Sequence, residues 1–160
     1  MEYKVTSLLA EQTRELGNRL GRNLQGGDVV ALIGDLGAGK TAFAQGVGKA
    51  LGVIGPMTSP TFTLQHEYLG QIPGTGIKVR LIHMDLYRLQ RPEEVEVIGV
   101  EDAFVEDTIS LIEWPEIAED YLPEDRLEVE ILGSGESPRE ITFRAQEGEW
   151  EQRLRIMIVI

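Results

Sequence analysis

The feature that most constrains how this chain can fold is a glycine-rich segment at residues 34–41. It fits the pattern G-x-x-x-x-G-K-[ST], whose glycines let backbone N–H groups turn towards phosphates. The segment follows an apolar run at residues 28–33, and apolar side chains then recur at helical spacing over residues 40–51. Because the pattern binds phosphate when it lies between a strand and a helix, we predict a phosphate-binding loop, or P-loop, here.

The residue types in the predicted P-loop indicate how it would hold a nucleoside triphosphate and Mg²⁺. Lys40 is expected to bridge the β- and γ-phosphates, and the Thr41 hydroxyl is expected to bind the metal ion. The chain has no Asn-Lys-x-Asp string to read guanine, which favours ATP as the nucleotide. The loop residues predicted to bind ATP are Gly34, Asp35, Leu36, Gly37, Ala38, Gly39, Lys40 and Thr41.

The order of apolar patterns along the chain predicts an α/β fold, a P-loop NTPase-like sandwich. Helix and strand patterns alternate early and strand patterns cluster late, which favours a parallel core sheet with antiparallel edge strands. The 160 residues suggest one domain. We predict strands at 28–33, 63–68, 79–85 and 108–113, helices at 40–51, 92–104 (broken near residue 99) and 115–121, a turn at 69–76, and a hairpin of 126–132 with 140–145.

The two ends of the chain carry weaker patterns. Near the beginning, leucines close to helical spacing predict a helix that is capped by Thr6 or Ser7 and ends at about Leu24. The tail from Gln146 onwards fits a helix and a strand equally well, so its structure stays open.

Two carboxylates, Asp85 and Glu113, each end an apolar strand pattern. Ligands of open α/β sheets bind at the carboxyl ends of strands, so the strand ends at Ile33, Asp85 and Glu113 should meet. With Thr41, the two carboxylates are candidate Mg²⁺ ligands, and with Lys40 they are candidate catalytic residues. How the metal-binding and water-orienting roles divide between them stays open, and either carboxylate could instead cap a turn.

Side chains beside these carboxylates suggest further roles. His83 is predicted on the same strand face as Asp85, where it could tune that carboxylate, approach the γ-phosphate or simply pack in the sheet. Arg88 could stabilise transition-state charge or form a surface ion pair. Trp114, next to Glu113, is expected to pack in the core or to stack near a nucleotide or partner.

The segment at residues 58–63 carries several hydroxyl side chains around Pro60, between the P-loop helix and the next strand. In nucleotide switches, a segment at this place senses the γ-phosphate through a hydroxyl or backbone group. Thr61 is therefore a candidate ATP contact, with an ordinary loop as the alternative.

Charge and composition limit the partners and the compartment. The net charge is −12 and no cluster of Lys and Arg lies outside the P-loop, so direct RNA or DNA binding is disfavoured. The absence of cysteine excludes thiolate metal sites, and two histidines make a histidine zinc site improbable. We find no signal-peptide pattern and no apolar run of membrane length, so we expect no membrane contact and a cytoplasmic location.

Four segments together resemble the TsaE (YjeE) family of bacterial P-loop ATPases. They are the P-loop at 34–41, Ser-Pro-Thr-Phe-Thr at 59–63, His-Met-Asp-Leu-Tyr-Arg at 83–88 and Ile-Glu-Trp-Pro at 112–115. Their order and spacing agree with the family. Only the P-loop is generic, whereas the other three segments are family-specific in combination. The similarity extends over about residues 6–144.

The resemblance implies that the chain is required to form N6-threonylcarbamoyladenosine at position 37 of tRNAs that read ANN codons. It implies slow ATP hydrolysis that supports two partner proteins, TsaB and TsaD, which would hold the tRNA. Lys40 and Thr41 would then hold phosphate and Mg²⁺, and residues 59–62 would form switch I. Asp85 and Glu113 would serve Mg²⁺ and water. Alone, the protein is expected to be a monomer.

Two other functions are compatible with the same residues. A small-molecule kinase would use the P-loop but usually carries arginines in a lid over the phosphates, whereas the segment after Asp85 is acidic beyond Arg88 and Arg91. A module that only senses ATP would not need both carboxylates. Release of ADP without any acceptor separates an ATPase from both alternatives.

Overall fold

The fold is organised around one seven-stranded sheet in a computed structural model that describes residues 1–60, 64–146 and 148–158. The strands are β1 (Glu2–Ser7), β2 (Val29–Ile33), β3 (Gln65–Gln71), β4 (Lys78–Asp85), β5 (Thr108–Glu113), β6 (Leu127–Leu132) and β7 (Arg139–Arg144). The α-helices are α1 (Ala10–Gly21), α2 (Lys40–Ala50), α3 (Glu93–Val97) and α4 (Glu149–Ile158). Short 3₁₀ helices lie at Val100–Ala103 and Pro115–Tyr121.

The sheet has a parallel core and antiparallel edges, which confirms the predicted fold class. Its strand order is β1-β7-β6-β2-β5-β4-β3. β2 runs parallel to β5 and β6, and β5 runs parallel to β4. β3, β7 and β1 make the antiparallel pairs. All of β5 is buried, as expected for a central parallel strand that is covered on both faces.

The register of the parallel strands brings the predicted site residues to one edge of the sheet. Asp85 and Glu113, the last residues of β4 and β5, are partners across the ladder. Leu32, one residue before the end of β2, is paired with Glu113. The ends of β2, β4 and β5 therefore meet as predicted, and the P-loop leaves β2 at the same edge.

Helices cover both faces of the sheet. α1, α2 and α4 contribute to a core cluster that contains Phe43 and Phe143. α3 and the two 3₁₀ helices contribute to a second cluster, which contains Met84 and Ile112. In the part of the chain that the structure describes, no helix is long and apolar enough to cross a membrane.

Glycines allow α1 and α2 to approach each other closely. A Cβ added to Gly17 would lie 2.1 Å from the Phe43 carbonyl oxygen, and one added to Gly46 would lie 1.9 Å from the Arg14 carbonyl oxygen. Real Cβ atoms do not come this close to backbone, because close-packed interiors hold no such overlap. The small residues therefore fix the separation of the two helices, and with it the position of the helix that follows the P-loop.

The beginning of the chain differs from the prediction. Residues 2–7 form β1, which pairs with β7, and α1 begins only at Ala10 and ends at Gly21, before the predicted Leu24. Neither Thr6 nor Ser7 caps the helix, whose N-cap residue is Leu9. The prediction was wrong because the pairing with β7 is a long-range interaction that outweighs the local helical pattern.

Three other segments refine the predicted boundaries. β3 continues to Gln71, inside the predicted turn, because it pairs with β4 as far as Lys78. The helical segment predicted at 92–104 is broken near Gly99, as expected, and continues as a 3₁₀ helix. In the tail, whose sequence pattern fits a helix and a strand equally well, residues 149–158 form α4, with Trp150, Leu154 and Met157 buried.

The close contact between α1 and α2 makes a stability prediction. Gly46→Ala should lower the melting temperature by about 2–10 °C, because overpacking against backbone costs ~1–3 kcal/mol. Gly48→Ala is the matched control, because its added methyl group would meet the flexible side chain of Met57 and not backbone atoms. Thermal unfolding followed by circular dichroism measures both. Equal melting temperatures for the parent and Gly46→Ala would contradict the close contact.

Candidate nucleotide-binding site

The P-loop connects β2 to α2 and needs glycine at three positions. Gly37 and Gly39 have φ angles of 78° and 115°, a left-handed region that other residues rarely adopt. A Cβ added to Gly34 would lie 2.7 Å from the Ile131 carbonyl oxygen. Gly39 is also the N-cap residue of α2, so the N–H groups at the start of this helix, which lack intrahelical partners, lie at the loop. Such a helix end attracts anions.

Lys40 is buried in the site, with 5% of its surface exposed. Its Nζ donates a 2.6 Å hydrogen bond to the Gly34 carbonyl oxygen and lies 3.9 Å from Glu113 Oε1. The same atom is 4.0 Å from the ring centroid of Trp114, within the range of a cation–π contact. Burial lowers the pKa of the Lys40 ammonium group, and the negative charges of Glu113 and Asp85 oppose that shift.

Glu113 is held by cationic or protonatable partners on both carboxylate oxygens. Oε2 lies 2.5 Å from His83 Nε2, while Oε1 faces Lys40. Glu113 and His83 are both buried. The structure thus pairs His83 with Glu113 and not with Asp85, because His83 and Glu113 lie diagonally across adjacent strands, within side-chain reach. Among the described residues, His83 Nδ1 has no hydrogen-bond partner.

Asp85 is buried beside the segment that was predicted to act as a switch. Its Oδ2 accepts a 3.2 Å hydrogen bond from the Ser59 hydroxyl, and its Oδ1 accepts one of 3.0 Å from the backbone N–H of Tyr87. Thr61 and the rest of residues 61–63 lie outside the described part of the chain. The ATP contact of Thr61 and the switch at 59–62 therefore stay predictions.

Trp114 lies at the mouth of the site in a left-handed backbone conformation, with φ 54°. Its ring packs on Tyr87 with centroids 4.9 Å apart, and its face lies over the Lys40 ammonium group. Trp114 is half-buried and belongs to neither core cluster, and its stacking on a nucleotide or a partner stays a prediction. The suggested role of Arg88 in transition-state stabilisation stays a prediction.

A groove of about 430 Å³ beside the P-loop was not found from the sequence. Its walls come from residues 7–13 around the start of α1, from the P-loop and the first turn of α2, and from the loop between β6 and β7; they include Leu8, Leu9, Ala38, Ala42 and Glu136. Among the described residues, cavities of about 620, 580 and 510 Å³ lie elsewhere and are larger, but no P-loop residue lines them. The groove of about 430 Å³ is therefore the candidate for part of a nucleotide site because P-loop residues line it, and not because of its size.

Arg139 is a second feature that sequence reasoning missed. Its Nε donates a 2.8 Å hydrogen bond to the carbonyl oxygen of Ala38 in the P-loop. The two residues are 101 positions apart in the chain, and no local pattern signals a contact between them. The antiparallel pairing of β6 with β7 creates it, because that hairpin brings the start of β7 to the P-loop.

Oxygen donors at the ends of β4 and β5 and at the start of α2 fit the chemistry of Mg²⁺. Thr41, Asp85 and Glu113 offer hydroxyl and carboxylate oxygens, which this ion prefers. Within residues 1–60, 64–146 and 148–158, no group of three or more His, Cys, Asp or Glu side chains is assembled to hold a metal ion. Mg²⁺ usually takes only one or two carboxylates and adds water and phosphate oxygens, so a site that is completed by a nucleotide agrees with this arrangement.

The fold and the site define a P-loop nucleotide-binding protein of the α/β class. A model of the family described as "Threonylcarbamoyl adenosine biosynthesis protein TsaE" matches residues 8–141, which is most of the chain. The chain belongs to the TsaE family.

Similar proteins support the assignment over nearly the whole length. A tRNA threonylcarbamoyladenosine biosynthesis protein TsaE from Bacillus subtilis is 38% identical over 151 residues, covering 94% of this chain and 90% of the relative. One from Streptomyces coelicolor is 42% identical and covers 74% of this chain and 77% of its own. The crystal structure of YdiB from Bacillus subtilis is similar with a TM-score of 0.77 at 32% identity, covering 98% of this chain and 94% of YdiB.

Proposed function

We propose that this chain is the ATP-hydrolysing subunit required to form N6-threonylcarbamoyladenosine at position 37 of tRNAs that read ANN codons. The observation that carries the proposal is the grouping of Lys40, Glu113 and Asp85 beside a P-loop, at the carboxyl ends of adjacent strands. Family membership supports the pathway, because relatives that match most of the chain are named tRNA threonylcarbamoyladenosine biosynthesis proteins.

The phosphates of ATP would bind at the P-loop and the N-terminus of α2. Lys40, which now donates to the Gly34 carbonyl oxygen, would turn its ammonium group to phosphate oxygens. The base would occupy the groove beside Ala42, where the exposed side chains of Leu8 and Leu9 offer apolar contacts. The predicted contact of Thr61 with ATP belongs to this proposal.

Thr41, Asp85 and Glu113 are the residues that would hold Mg²⁺, directly or through water. When bound, the ion supplies positive charge that neutralises the phosphates. We assign Asp85 chiefly to the metal, because it lies next to Ser59 at the start of the proposed switch. We assign Glu113 to the attacking water, because its carboxylate is fixed beside Lys40. As that water attacks the γ-phosphorus, it would give a proton to the Glu113 carboxylate; the bond from the γ-phosphorus to the bridging oxygen breaks, and the products are ADP and inorganic phosphate.

The tRNA would be reached through partner proteins, TsaB and TsaD, in the cytoplasm. A net charge of −12 opposes the phosphate backbone of tRNA, so the chain would bind tRNA poorly by itself. The switch at 59–62 would order around the γ-phosphate and couple ATP binding to the partners. Without the partners, hydrolysis would be slow and the protein monomeric.

The two carboxylates should give different kinetic results when they are replaced by amides. Glu113→Gln should keep the ATP affinity within about threefold of the parent value. It should lower the rate of hydrolysis at least about tenfold, because the attacking water loses the carboxylate that acts as its base. Asp85→Asn should raise the Mg²⁺ concentration needed for half-maximal hydrolysis about tenfold, because the metal loses a negative ligand. Both effects are measured by the rate of ADP release at a series of Mg²⁺ concentrations, with no phosphate acceptor added.

Glu67→Gln, which changes an exposed carboxylate on the edge strand β3, is the control and should hydrolyse ATP as the parent does. If both site variants also hydrolyse ATP at the parent rate, Asp85 and Glu113 are structural only. Parent protein that binds ATP but never releases ADP would identify a sensing module.

The role in tRNA modification is tested with TsaB, TsaD and an excess of tRNA over enzyme. The formation of modified tRNA over many turnovers should require this protein. Lys40→Ala should lower the amount of modified tRNA about tenfold or more, because the cation that binds phosphate is lost. Lys49→Ala, which removes an exposed lysine from the same helix, is the matched control and should support modification. Equal product with the parent protein, without it and with Lys40→Ala would refute the proposed role.

A further inference from the structure

Arg139, the first residue of β7, directs its whole guanidinium group at backbone carbonyl oxygens of two loops. In the P-loop, Nε donates to Ala38 at 2.8 Å and Nη2 donates to Gly37 at 3.4 Å. In the loop between β6 and β7, Nη2 donates to Gly135 at 3.0 Å and Nη1 donates to Ser137. No carboxylate forms an ion pair with Arg139 within the described residues.

The loop between β6 and β7 is itself well ordered by hydrogen bonds, so it can serve as an anchor. The Ser137 hydroxyl donates to the Ser134 carbonyl oxygen at 2.5 Å, and the Ser137 backbone N–H donates to the same oxygen at 3.1 Å. Gly133, with φ 130°, leaves room for the arginine, because a Cβ there would lie 2.9 Å from Arg139 Cδ. The position of Arg139 is therefore set independently of the P-loop.

The contact with Ala38 has a consequence for the next peptide N–H group. A trans peptide unit is planar, so its C=O and N–H bonds point in opposite directions. The Ala38 carbonyl points to Arg139, so the N–H of Gly39 in the same peptide unit points away from it. Gly39 precedes Lys40 and caps α2, where backbone N–H groups would bind phosphate.

We propose that Arg139 is a positioning residue of the phosphate-binding loop, which holds the Ala38–Gly39 peptide so that its N–H is directed at a bound phosphate. The proposal rests on the proposed function, since it assumes that the P-loop binds a nucleotide. Arginine suits the task because its rigid, planar set of donors reaches several carbonyl oxygens at once. The same contacts hold together the two loops that form walls of the groove beside the P-loop.

The test compares Arg139→Met, which removes every donor, with Arg139→Gln, which keeps an uncharged N–H donor near Ala38. Arg144→Met, on the same strand but paired with the carboxylates of Glu2 and Glu130 and not with the P-loop, is the control. Calorimetry with ATP and with inorganic tripolyphosphate should show affinity about tenfold lower for Arg139→Met, since one lost hydrogen bond to a charged group has this order of effect. Arg139→Gln should recover most of the loss, and Arg144→Met should match the parent.

The amide resonance of Gly39 in ¹H–¹⁵N spectra gives a second measurement. Tripolyphosphate should shift it strongly in the parent and in Arg139→Gln, and weakly in Arg139→Met.

Equal affinities of the parent and Arg139→Met would overturn the proposal. Equally weak binding by Arg139→Met and Arg139→Gln would do so too, because it would indicate a direct charge contact with phosphate. If Arg139→Met fails to fold, the affinity and Gly39 shift of Arg139→Gln decide, and parent-like values support positioning. A parent that binds neither ATP nor tripolyphosphate would instead refute the proposed function.

Discussion

The buried ammonium group of Lys40 is the charge around which the rest of the site is arranged. A cation that is removed from water without partners would strongly destabilise the fold, so the neighbours must supply negative potential. The Gly34 carbonyl oxygen, the Glu113 carboxylate and the face of the Trp114 ring do so. Burial lowers the pKa of Lys40 and the negative charges of Glu113 and Asp85 oppose that shift, so the ammonium charge depends on a few defined neighbours. Phosphate oxygens can replace the carbonyl contact, and for that reason the site suits an anionic ligand.

The sheet and the packing of α1 on α2 hold those contacts in place. Parallel pairing sets Asp85 opposite Glu113, and His83 then reaches the Glu113 carboxylate from the neighbouring strand. Close approach at Gly46 fixes α2, and with it Lys40, against α1. The site is therefore built from rigid elements, while the segment that was predicted to sense the γ-phosphate begins at Ser59, which bonds to Asp85. Such a separation between rigid elements that hold the site and a segment at its edge is what a nucleotide-sensing switch requires.

The parts that could be predicted from the sequence depend on local patterns. The P-loop, the central strands and the meeting of their carboxyl ends follow from short apolar runs, glycine positions and a general property of α/β sheets. The parts that could not be predicted depend on contacts between distant segments. β1 forms because β7 is available to pair with it, His83 finds Glu113 through the register of two strands, and Arg139 reaches Ala38 from 101 positions away. The tail was ambiguous because its apolar residues bury only against a core that other elements create.

The central claim, that Lys40 belongs to a site that binds the phosphates of ATP, is tested most directly by calorimetric titration of ATP with Mg²⁺. The parent and Lys49→Ala should bind alike, whereas Lys40→Ala should bind at least about tenfold more weakly, because a charge-assisted contact is lost. Circular dichroism establishes that each variant is folded. Folded Lys40→Ala that binds ATP as tightly as the parent would contradict the account.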